Sequence, residues 1–170
     1  LFARREVLAR YCPQAQFHYV LHDSETSVAR NDQERFPLLE AVERMEQIFE
    51  GPLNPEKEIE VGLFKLRIPQ FPLEGVREAV LNALAHRDYL SPGEILVRHS
   101  AQELVVTSPG GFVDGITPQN ILRHEAVPRN RTLANALLKL RLVESAGIGR
   151  KRIFRSALVY GCLLYTSPSP

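Results

Sequence analysis

The feature that most limits how this chain can fold is the order in which two kinds of apolar repeat follow one another along it. Residues 16–21 form a short run of β type, and then Leu38, Leu39, Val42, Met45, Ile48 and Phe49 recur at spacings of three and four, which predicts an amphipathic helix ended by Gly51-Pro52. Ile59, Val61, Leu63, Phe64, Leu66 and Ile68 alternate with one slip at Leu63-Phe64, as one bulged strand or two short ones would. Pro72 opens a second long helix, since its missing N–H is harmless in a first turn, and Glu74 and Glu78 lie early enough to favour the positive end of the helix dipole. That helix is expected to end between His86 and Asp88. Residues 95–97 and 104–106 then flank a polar segment and predict two strands joined by a tight turn. Strands mixed with helices that must cover a sheet face predict an α/β fold: a two-layer α/β sandwich, with a mixed sheet covered by helices on one face.

The remaining segments are more local. Residues 1–11 mix Leu, Val and Ala with Arg at helical spacing and read as the last turns of a helix stopped by Pro13; the polar stretch 22–35 reads as an exposed loop or β-ribbon. After the glycine-rich segment 108–115, Thr117-Pro118 is expected to start a short helix to Arg123, and Asn130 another with Leu133, Ala136, Leu137 and Leu140 on one face. Gly147-Ile148-Gly149 precedes a basic run, residues 150–155, expected to be helical. The chain opens at Leu1 without an initiator Met and reads as truncated there. Residues 162–170 resemble translated sequencing-adapter read-through and are expected to be a non-native tail outside the fold, with a natural Ser/Pro linker as the alternative.

Composition narrows the function classes. With 170 residues, 44% hydrophobic and 24% charged, the chain has the make-up of one globular domain. A formal charge of +1 gives no sign of a strongly basic face, so any DNA contact is expected to come from domains outside this chain. No apolar run approaches the roughly 20 residues that span a bilayer, and no secretory signal is evident, which predicts a cytoplasmic protein without membrane attachment. Cys12 and Cys162 are too far apart in sequence, and too isolated from other Cys or His, to suggest a zinc site or a disulfide framework.

One row of side chains invites a chemical reading. Glu78 and Asn82 lie four apart on the predicted helix and His86 continues the row one turn later, so all three project from one face. The Asn82 carbonyl is a hard oxygen ligand suited to Mg²⁺, which keeps most of its shell for phosphates and water, and Glu78 could then orient or deprotonate a water. A solvated helix face with an incidental Glu/Asn pair is the alternative. His86-Arg87-Asp88 has no nucleophile beside it and is assigned to structure, with His86 possible as a lining group. Arg129 could meet a phosphate through its planar fork, while Asn130 could equally cap a helix. Arg150, Lys151, Arg152 and Arg155 could touch DNA phosphate or form a solvated face.

These motifs in order, the segment from Arg77 to Tyr89, then Ser108-Pro109-Gly110-Gly111, then Val127-Pro128-Arg129-Asn130, then Ala146-Gly147-Ile148-Gly149, resemble the GHKL (HATPase-like) domain of Schlafen/AlbA-type transcriptional regulators. Such proteins are often labelled RecG-like or RecG C-terminal-related ATP-dependent DNA helicases. The resemblance is strong over residues 72–155. It implies residues 1–70 as a connector after an N-terminal AlbA-like DNA-binding domain, and residues 71–158 as the GHKL-like domain. It further implies ATP and Mg²⁺ as cofactors, Asn82 as the metal ligand and Glu78 as the base. His86, Gly110, Gly111, Arg129, Gly147 and Gly149 would join Asn82 around the nucleotide, the glycines because backbone without Cβ atoms can approach phosphate closely. One departure matters: Ser108-Pro109 stands where the family's adenine-reading Asp is expected, and Asp114 is displaced. The implied function is ATP binding in a regulator of transcription, with weak ATPase activity and a homodimer as further expectations. The alternative is a scaffold of the same fold, without nucleotide, for dimerisation or domain packing. Helicase activity is not expected of this chain, which lacks a Gly-x-x-x-x-Gly-Lys-Ser/Thr loop.

Overall fold

A computed structural model describes residues 2–24, 26–111, 115, 117, 120, 127–143 and, as backbone, 163–169. The elements are α1 (Arg5–Tyr11), β1 (Gln16–His22), β2 (Val28–Glu34), α2 (Leu38–Glu50), β3 (Glu56–Val61), β4 (Phe64–Pro69), α3 (Leu73–His86), β5 (Glu94–His99), β6 (Glu103–Pro109), α4 (Arg131–Lys139) and β7 (Leu163–Ser169). Five strands form one mixed sheet in the order β2-β1-β5-β6-β7, with β1/β5 and β6/β7 parallel and β1/β2 and β5/β6 antiparallel. The expected α/β architecture is therefore present.

Strand alternation decides where the core lies. Phe17 and Tyr19 of β1 pair in register with Ile95 and Val97 of β5, and Val97 and His99 with Val106 and Leu104 of β6, so their side chains share one face of the sheet. That face is buried with Leu38, Ala41, Val42, Met45, Ile48 and Phe49 of α2 and Val76, Ala79, Val80, Ala83 and Leu84 of α3 in one apolar cluster. α2 thus buries the stripe that its three-and-four spacing sets out, while α3 is buried over most of its surface. On the other face, His18 Nδ1 lies 2.6 Å from Glu94 and its Nε2 2.5 Å from Asn31, tying β1 to both neighbours. Burial pulls the His18 pKa down, but the hydrogen bonds to Asn31 and Glu94 and the Glu94 charge outweigh it, leaving it above 6.5.

Three expectations are refined. The polar stretch after β1 is a ribbon: β2 pairs antiparallel with β1 from Phe17↔Glu34 to His22↔Val28. The slip at Leu63-Phe64 marks a turn, with Val61 opposite Phe64 and Gly62 at a left-handed φ of +63°. Residues 163–169, expected to stand outside the fold, run parallel to β6 as β7; an open strand edge accepts any segment of β-compatible residues, and Leu163-Leu164-Tyr165-Thr166 is one. At residue 117 the expected cap forms, since Asn120 N donates to Thr117 Oγ1 at 3.3 Å and Thr117 N to Asn120 Oδ1 at 2.7 Å. Most of the short helix expected to follow, Gly147, Gly149 and the basic run 150–155 lie outside the described residues.

Candidate functional site

α3 forms where the sequence predicts it, with Pro72 as its N-cap residue at φ −65°. Its polar row is not a solvated face. Glu78 is only 9% exposed, and Asn82 and His86 are half-buried. A buried carboxylate, a side-chain amide and an imidazole thus follow one another at one-turn intervals along the element at the centre of the molecule. Carboxylates are seldom buried without a specific role, structural or chemical, because leaving water costs a charged group several kcal/mol, on the order of what a whole hydrogen-bond set returns.

The C-terminal end of α3 is fixed by a dense polar junction. Arg87 is fully buried, and its guanidinium donates to three carbonyl oxygens: Asp88 at 3.0 Å, Gln14 at 2.6 Å and Gly93 at 2.6 Å. It also stacks 5.0 Å from the centre of the Tyr89 ring, whose hydroxyl donates back to Leu84 O at 2.8 Å. Burial lowers the Arg87 pKa from its ordinary value, against the opposing fields of Tyr89, Cys12 and Asp88. Gln14 Nε2 donates to Tyr89 O, so the turn after α1, the end of α3 and the start of β5 are bound through these side chains.

Asp88 organises the next turn and the glycine loop. The Leu90 N–H, then the Ser91 hydroxyl, hydrogen-bond its carboxylate and hold its pKa below the usual carboxylate value. Its own N–H donates to Pro109 O at 2.8 Å, at the end of β6. Gly110 follows at φ +105°, and a Cβ there would come within 2.8 Å of Asp88 Cβ. Arg129 completes the junction, donating to Gly111 O at 2.6 Å and lying 3.8 Å from the Asp88 carboxylate.

The structure therefore brings Gly110, Gly111 and Arg129 together at the end of α3 that carries His86, with Glu78 and Asn82 further back along the same helix. Arg87 and Asp88 are structural, as their sequence context suggests, although nothing in the sequence points to the reach from Arg87 to Gln14. Asn130 departs from its expected role. It is the N-cap residue of α4 by position, yet its side chain makes no cap there; Nδ2 donates instead to Ala85 O and Arg87 O, each at 2.8 Å, capping the end of α3. Among the described residues, no helix is long and apolar enough to cross a membrane.

Residues 93–163 match the family described as “Putative ATP-dependent DNA helicase recG C-terminal”. Sheet and helices show the α/β fold, and this match supports an ATPase-like domain; the matched span covers β5, β6 and α4 and leaves α3 just before it. The chain is also similar to the DIP2311 protein from Corynebacterium diphtheriae, whose crystal structure superposes with a TM-score of 0.76 over 89% of this chain at 28% sequence identity. The chain spans 32% of the length of that protein. No curated protein matches the sequence.

Proposed function

We propose that this domain binds ATP with Mg²⁺ and, within a longer DNA-binding regulator of the Schlafen/AlbA-like type, couples nucleotide occupancy to the DNA-binding parts. The observation that carries the reading is the row of buried Glu78 and half-buried Asn82 and His86 on a helix whose end abuts a glycine turn. In this reading Asn82 supplies one oxygen to Mg²⁺, and the metal, when bound, offsets the phosphate charge and polarises the γ-phosphoryl group. Glu78 orients the attacking water and takes its proton, and His86 lines the site. Gly110 and Gly111 with Arg129, and Gly147 with Gly149, flank the phosphates. The family match supports the ATPase-like character of the domain; the regulatory role and the DNA partner rest on the sequence resemblance.

Isothermal titration of the chain with ATP in the presence and absence of Mg²⁺ tests this. Binding that requires Mg²⁺ and weakens on the order of tenfold or more in Asn82→Ala is expected. Glu78→Gln should leave binding within a few-fold while abolishing any slow phosphate release. Absence of heat up to about 1 mM nucleotide, which corresponds to roughly 4 kcal/mol of affinity, would sink the proposal.

A second reading has its own support. Gly110 is filled by Asp88, and Gly111 O accepts from Arg129, so both glycines already serve the junction between α3 and β6. Ser108, where an adenine-reading Asp is expected, is buried. A domain retaining the fold for packing alone would show these features, and would show no rise in melting temperature with Mg-ATP, whereas a ligand at 100 times its Kd stabilises by about 2.7 kcal/mol.

A further inference from the structure

The ribbon β3–β4 stands apart from the rest of the fold. It forms its own two-stranded sheet and gives no residue to the apolar core. Its base is closed without it: Asn54 is buried and donates to Phe49 O at 3.0 Å and Phe71 O at 2.8 Å, while Phe71 N donates to Asn54 Oδ1 at 3.1 Å, and Gln70 N reaches Pro55 O at 2.6 Å. Residues 56–69 are therefore an excursion from a connection that is already complete.

The register sorts the ribbon into two unlike faces. Val61 opposes Phe64 and Ile59 opposes Leu66, with Lys57 opposite Ile68, so the apolar side chains collect on one face; Glu58, Glu60, Lys65 and Arg67 occupy the other. That apolar face is open: Phe64 is 72% exposed, Val61 52% and Leu66 46%, and Leu63 at the tip is fully exposed. Together these four present roughly 500 Å² of apolar surface, near the upper end of what a monomer tolerates as a single patch. A lone two-stranded ribbon is also marginally stable in water.

Charge narrows the occupant. The ribbon holds Glu56, Glu58 and Glu60 against Lys57, Lys65 and Arg67, and Lys65 is engaged by Glu58 at 3.3 Å and Glu60 at 3.8 Å. Such a balanced surface offers no net attraction to nucleic acid phosphate or to an anionic lipid surface. The apolar face is instead self-complementary, since two copies stacked face to face around a two-fold axis bring apolar against apolar and leave the charged faces in water. Two such faces cover roughly 1,000 Å² in total, the lower bound for a specific interface. We infer that the β3–β4 ribbon is the dimerisation element of this protein, its Val61, Leu63, Phe64 and Leu66 face packing on the same face of a second copy.

Sedimentation velocity on the 170-residue chain, from about 1 to 100 µM, tests the inference in the range where such an interface is expected to dissociate. A concentration-dependent shift from monomer to dimer is expected. Phe64→Lys should raise the dimer dissociation constant on the order of a hundredfold, as loss of a central aromatic contact does. Replacing residues 56–69 by a short glycine linker should give a monomer with unchanged helical circular dichroism. Leu90→Lys, at an apolar residue 94% exposed elsewhere, serves as control and should leave the dimer intact. A wild type that stays monomeric throughout overturns the inference, including the case where Phe64→Lys releases that monomer from anionic vesicles or duplex DNA. So does a dimer that survives both ribbon variants.

Discussion

At Gly110 a methyl group has nowhere to go. The backbone is in a left-handed conformation, and the Cβ position lies 2.8 Å from Asp88 Cβ and 3.3 Å from Asp88 N, with Arg129 Cζ 3.5 Å away. Gly110→Ala is expected to cost about 3 kcal/mol, from strain and from displacement of the Asp88 turn, read as a lowered urea midpoint. His99 makes a different kind of prediction. Its ring is 1% exposed, bonded through Nδ1 to Tyr19 Oη at 2.7 Å and enclosed by Phe49 and Phe71 with centroids at 4.8 and 5.2 Å. Burial among these rings lowers its pKa from 6.5 to about 4. The folded state therefore holds His99 neutral while the unfolded chain binds a proton below 6.5. Its contribution to stability is fully present above that value and is lost progressively as pH falls from 6.5 towards 4. Between pH 7 and pH 5 this amounts to about 2 kcal/mol, measurable by urea unfolding at the two values. The double variant Tyr19→Phe/His99→Leu removes both hydrogen-bonding groups together and should flatten that part of the pH profile.

Among the elements, the connection from α2 to α3 depends most on one side chain. Asn54→Ala strands two carbonyls and one N–H at a buried site, so a loss of about 3 kcal/mol is expected in thermal or chemical unfolding. Asn130→Ala should cost less, about 1 kcal/mol, because it uncaps the end of α3 at a half-buried site. Helix α3 was legible from Pro72 and the acidic residues of its early turns, and α2 because its buried stripe repeats every three or four residues. The row Glu78, Asn82, His86 was legible for the same reason, since spacing alone puts those groups on one face. Strand β2 was harder to read: it borders the sheet with most of its residues exposed, so nothing imposes apolar alternation on Val28–Glu34. The bridge from Asn130 to α3 left no trace either, because an Asn before a helix looks the same whether it caps that helix or another.

On the scale of the whole molecule, fold class and the β5–β6 hairpin could be read from element order, whereas the parallel pairing of strands could not. Periodicity tells each strand which side is buried, but β1 carries no local sign that its inner neighbour is β5, and in parallel. The polar junction at Arg87 was hidden for a related reason: it joins the end of α3 and nearby Gly93 to Gln14, 73 residues away in sequence. That same long-range pairing has a consequence for how the protein is made. β1 finds its parallel partner only after β2, α2, the ribbon and α3 have been synthesised, so until then it has only the edge strand β2 to pair with. Phe17 and Tyr19 lack their β5 neighbours until β5 emerges, and an open ribbon with an apolar face joins them partway through that interval. Topologies of this kind gather their core late and fold slowly, and a nascent chain held in that state is the form of this protein most exposed to aggregation and most in need of a chaperone.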